Sequence, residues 1–72
     1  MEFTRHALER CIEYGRTPTD VGEAVLANHH RKEHNHDGAD WKLSAAHTMI
    51  VYDWPADGDP LTARVVSLWP AR

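Results

Sequence analysis

Two sets of side chains in this 72-residue sequence have the types and spacing for chemistry. His6 and Arg10 lie four apart, which on a helix makes them neighbours on one face. An imidazole beside a guanidinium suits metal-independent cleavage of RNA. The histidine takes the proton of a ribose 2′-hydroxyl as general base, while the arginine holds the adjacent phosphate. Arg64 would supply a second cation, and Ser67 or Tyr52 a hydrogen-bond donor. Read structurally, His6 is a histidine at the border of an apolar stripe and Arg10 pairs with Glu9 or Glu13.

The second set is His29, His30, His34 and His36, followed by Asp37 and Asp40. His30 and His34 share a face only on a helix, and His34 and His36 only on a strand, so no single register uses them all. Arg31 and Lys32 intervene and no cysteine joins the set, so a solvated polar connection is expected, with no metal and no cofactor. On acidification the same histidines become cationic and would attract RNA or an acidic partner. Cys11 falls on an apolar stripe, the setting of a buried, inert thiol. There is no phosphate-cradling glycine loop, no Ser-His-Asp order and no paired catalytic carboxylates.

Trp41, Trp54 and Trp69 are large rings for so short a chain. Tryptophans on a sheet can stack on unpaired bases or anchor an interface, but here at least two are expected in the core. Within 47–54, Met49, Val51 and Asp53 face one way and Ile50, Tyr52 and Trp54 the other. With apolar groups on both faces, one face packs the helices and the other meets a partner. Tyr52, Trp54 and Trp69 are the expected partner-binding residues, for a protein or a second copy of the chain.

The elements that position these groups follow from local signals. A helical stripe runs over 3–14 through Phe3, Ala7, Leu8, Cys11, Ile12 and Tyr14, and Gly15 stops it. Thr17-Pro18-Thr19-Asp20 caps a second helix reaching about His29 or His30. The stretch 31–40 is a loop or two short strand edges around a turn. Strands are expected over 41–44 and 47–54, and a return strand over 61–69 after the turn-rich 55–60. The fold class is therefore α+β: two N-terminal helices packed on a three- to four-stranded antiparallel sheet.

Length confines all of this to a single domain over 1–72. Eight basic against 11 acidic residues leave a net charge of −3, which argues against a duplex DNA partner. One cysteine excludes an internal disulfide, and the longest apolar runs are far too short for a membrane span. The N-terminus does not read as a signal peptide, so cytoplasm is the expected location.

The ordered segments FTRHALERCIEYGR, the capped second helix, GADW and VVSLW carry a resemblance over almost the whole chain. The chain resembles a family of small bacterial and phage proteins of unknown function, placed near the RelE-like and barnase-like ribonuclease toxins. Family positions fall on His6, Arg10, Asp40, Trp41 and Ser67. Many relatives carry a second arginine-glycine pair where this chain has Tyr14-Gly15-Arg16, so no basic role carries over there. The resemblance implies a toxin-type protein acting on RNA, with His6 and Arg10 at the site, Ser67 as a helper and an antitoxin or host protein as partner; Arg64 joins as a second helper from its place on the last strand. The rival is a non-catalytic interaction protein using an open sheet face. Convergence of His6, Arg10 and Arg64 in one concave site separates the two.

Overall fold

The computed structural model of the chain describes residues 1–71. In chain order the elements are β1 (Glu2–Phe3), α1 (Arg5–Tyr14), α2 (Pro18–Asn28) and a 3₁₀ turn (His29–Arg31). They are followed by β2 (Glu33–His34), β3 (Trp41–Ala45), β4 (Thr48–Asp53) and β5 (Arg64–Pro70). The fold is α+β, and the strands form one sheet in the order β1-β5-β4-β3-β2. Among the described residues no helix is long and apolar enough to cross a membrane.

The expected three- to four-stranded antiparallel sheet is corrected in two ways: it has five strands, and β1 runs parallel to β5, with Glu2 opposite Arg64 and Phe3 opposite Val65. The cause is Thr4. Its backbone is extended, and its hydroxyl accepts from the Ala7 N–H at 3.0 Å while donating to the Val66 carbonyl at 2.9 Å. This cap starts α1 after Phe3, so Glu2 and Phe3 are left to pair with the edge of β5. The other helix signals act as read. Gly15 closes α1 at φ 66°, with its N–H and that of Arg16 on the carbonyls of Ile12 and Cys11. Thr17 caps α2 by accepting from the Asp20 N–H at 3.1 Å, with Pro18 at the first position.

α1 lies against β5 and β1, and α2 against β3. Ala7, Cys11, Val21 and Val25 from the helices meet Leu43, Ala45, Ile50, Tyr52, Val65 and Leu68 from the sheet. Both helices thus cover one face of the sheet. The helix stripe is narrower than its sequence: Leu8 is 42% and Ile12 83% exposed, because Ala7 and Cys11 take the line of contact. The return strand also starts later than 61. Asp59 accepts from the Leu61 N–H and the Thr62 hydroxyl, and the Ala56 N–H donates to the Thr62 carbonyl. These bonds curl 59–62 into the connection, leaving β5 to begin at Arg64.

The β3–β4 hairpin turns through Ala46 and His47, at φ 52° and 57°, between the paired residues Ala45 and Thr48. Positive φ at both central positions is the type I′ form of a two-residue hairpin, which asparagine and glycine tolerate best. A left-handed conformation costs an ordinary L-residue roughly 1–2 kcal/mol. Changing Ala46→Asn together with His47→Gly is therefore expected to stabilise the protein by about 1–2 kcal/mol. A urea midpoint that fails to rise, with an unchanged slope, would show that the turn carries no such strain.

Candidate functional site

His6 and Arg10 stand together on one flank of α1, as their spacing requires. Arg10 Nε donates to His6 Nε2 at a long 3.4 Å. One terminal nitrogen of the same guanidinium donates to Glu13 Oε2 at 3.0 Å and to the Tyr14 hydroxyl at 2.9 Å. The set therefore gains Glu13 and Tyr14. The pairing with Glu13 matches the structural reading, while Glu9 pairs with Arg5 at 3.5 Å. The flank is a solvent-facing helix surface on which His6 is exposed. Two depressions among the described residues, of about 310 and 610 Å³, are lined by other side chains, with none of His6, Arg10, Arg64 or Ser67 among them.

Arg64 is engaged elsewhere. Both of its terminal nitrogens reach the Asp57 carboxylate, at 3.2 and 2.6 Å, and one also reaches Glu2 at 3.1 Å. This fork ties β1 and the 54–63 connection to the start of β5. Its hydrogen bonds hold the Asp57 carboxyl below its ordinary value and raise the arginine further above its own. Ser67 lies opposite Val51, one position out of phase with the core pair Ile50 and Leu68, and so faces away from the helices. Among the described residues no hydrogen bond or ion pair links Arg64 or Ser67 to His6 or Arg10. The four expected site residues occupy three places.

The expected partner-binding residues also divide. Tyr52 is fully buried, its ring in the core between the sheet and the helices and not on the surface. Burial pushes its hydroxyl up to about 12. Trp54 is half-buried, packed against the core and covered by the His29 ring at 4.3 Å between centroids. Trp41 likewise packs against the core, with Lys32 and His34 over its ring. Trp69 is the exception, at 43% exposed. It pairs with Met49, which in turn lies opposite Ser44, while Val51 lies opposite Lys42 and Ser67. These residues make up the sheet face that no helix covers.

Tyr52 lies in the row of β4 that the helices cover, and Met49 and Val51 lie in the opposite row. Alternation separates Met49-Val51-Asp53 from Ile50-Tyr52-Trp54 but does not say which row the helices choose. The histidine contacts were also missed. His29 is bonded to Tyr52, 23 positions away, and no local pattern announces that pair. Among the described residues no three histidine, cysteine, aspartate or glutamate side chains gather where they could hold a metal ion. No family model, curated protein or solved structure matches this chain.

Proposed function

We propose that this protein is a small interaction domain that binds a protein partner through the sheet face opposite its helices. One observation carries the reading: Trp69 stands exposed beside Met49 on a face left without a helix. A sheet face with apolar side chains favours burial against a partner, and tryptophan is among the residues that contribute most when an interface closes over it. The acidic net charge and the dispersal of the expected catalytic set agree with binding rather than turnover. An antitoxin-like or host protein, or a second copy of the chain, fits the same surface. Light scattering and affinity capture should compare wild type with Trp69→Ala, using Ile12→Ala as a control on the far side. The same species should be retained by wild type and Ile12→Ala and lost with Trp69→Ala. A strict monomer that retains nothing, or capture indifferent to Trp69, overturns the reading.

A second reading is supported by the linked side chains of His6, Arg10, Glu13 and Tyr14: a RelE-like, toxin-type protein that cleaves RNA without metal. His6 would act as base, Arg10 would hold the phosphate, and the Tyr14 hydroxyl would donate a hydrogen bond. Purified protein in chelator should cleave RNA, and His6→Ala and Arg10→Ala should each lower the rate about 100-fold or more. An inactive wild type whose overexpression leaves growth untouched removes this reading.

A further inference from the structure

At one end of the sheet the 3₁₀ turn and β2 are fastened by rings rather than by a long ladder. β2 pairs through only two residues, Glu33 opposite Lys42 and His34 opposite Trp41. The His34 ring lies 4.8 Å from Trp41 between centroids, and Lys32 Nζ sits 4.7 Å above the same indole. Trp41 Nε1 donates to the Trp54 carbonyl at 3.1 Å, joining the two tryptophans. His29 makes the deepest contact: its ring covers Trp54, and its Nδ1 lies 2.8 Å from the Tyr52 hydroxyl.

That last bond assigns the tautomer. Tyr52 is fully buried, and among the described residues His29 is the only hydrogen-bond partner of its hydroxyl. A buried phenol needs an acceptor for its hydrogen, so the hydroxyl donates to Nδ1 and the imidazole proton sits on Nε2. Adding a proton to Nδ1 turns the acceptor into a donor. The phenol must then turn its hydrogen away from His29, and the hydroxyl is left without an acceptor inside the core.

We propose that His29 is a proton-operated latch: neutral, it holds the 3₁₀ turn and β2 onto the tryptophan end of the sheet, and protonated, it releases them. The titratable groups around it on its own segment are Lys32 and His30. From β4 it meets the neutral phenol of Tyr52, and beyond β4 the uncharged Trp54. Arg31 is turned back to the Asn28 side chain at 3.3 Å, and Glu33 lies opposite Lys42 in the sheet. Burial, Lys32 and His30 hold His29 below the ordinary histidine value of 6.5, while the carbonyl end of α2 acts in the opposite sense. The closed latch therefore binds fewer protons than the released one. Closure is complete above the ordinary histidine value, and release grows as pH falls below it.

The test is amide exchange, corrected for intrinsic rates, at about pH 7.5 and about pH 5. The amides to follow are those of Lys32 and Asn35, which donate to the carbonyls of His29 and Asp40. In the wild type both should exchange severalfold faster at the lower pH. His29→Gln retains an acceptor for Tyr52 but cannot titrate, so its protection should be the same at both. His29→Phe retains the ring on Trp54 but offers Tyr52 no acceptor, so it should be loosened equally at both. His34→Gln should keep the wild-type response. Flat protection in the wild type, an undiminished response in both His29 variants, or loss of the response in His34→Gln alone overturns the latch.

Discussion

Replacing Ile50 with alanine is expected to lower the unfolding free energy by about 2–5 kcal/mol. Ile50 is fully buried on the central strand β4, opposite Leu43 on one side and Leu68 on the other. Both neighbours point to the face covered by Ala7, Cys11, Val21 and Val25, so truncation opens a cavity that the sheet cannot close by moving one edge. Small domains stand near the low end of the usual range of roughly 5–15 kcal/mol, and a loss of this size can unfold most of the population. Ile12→Ala makes the same chemical change 83% exposed to solvent, and should shift stability by no more than about 0.5 kcal/mol. Urea midpoints for the pair check both values. Equal effects would show that α1 packs on the sheet through Ile12 as well as through Ala7 and Cys11.

The Trp69→Ala change is expected to weaken partner binding by at least about 2 kcal/mol, roughly thirtyfold, as tryptophan contacts at the centre of an interface do. The same change should leave the fold standing, because the ring lies outside the buried cluster. Calorimetric titration of the captured partner measures the first effect and a thermal melt the second. A melt that collapses along with binding would show that Trp69 serves the fold instead. Unchanged affinity would move the interface off this face.

Much of the local structure was legible in the residues. Gly15 after the last helical residue, and Thr17-Pro18 before the next run, marked the joint between α1 and α2 because caps satisfy backbone groups within a few positions. The alternation through β4 marked a strand with two unlike rows. His6 and Arg10 were legible as neighbours for the same reason: four residues on a helix bring side chains together whatever the rest of the chain does.

Other features depend on groups far apart in sequence. Glu2 and Phe3 form a strand only because Val65 lies beside them, and two residues carry no period of their own. Ala46-His47 forms a two-residue turn without the residues that usually announce one, since the pairing of β3 with β4 imposes it. Arg64 looked available until Asp57 and Glu2 closed on it.

The sequence by itself determined two capped helices, a sheet with opposed rows of side chains, and the His6–Arg10 pair, because each follows from interactions within about one turn or one pleat. Only the tertiary structure decided which row of β4 the helices cover, and with it that Tyr52 is core and Trp69 is surface. Alternation is symmetric between the two faces of a strand. The choice is made by the packing of Ala7, Cys11, Val21 and Val25 against Ile50 and Leu68, contacts that exist only once the whole chain has folded.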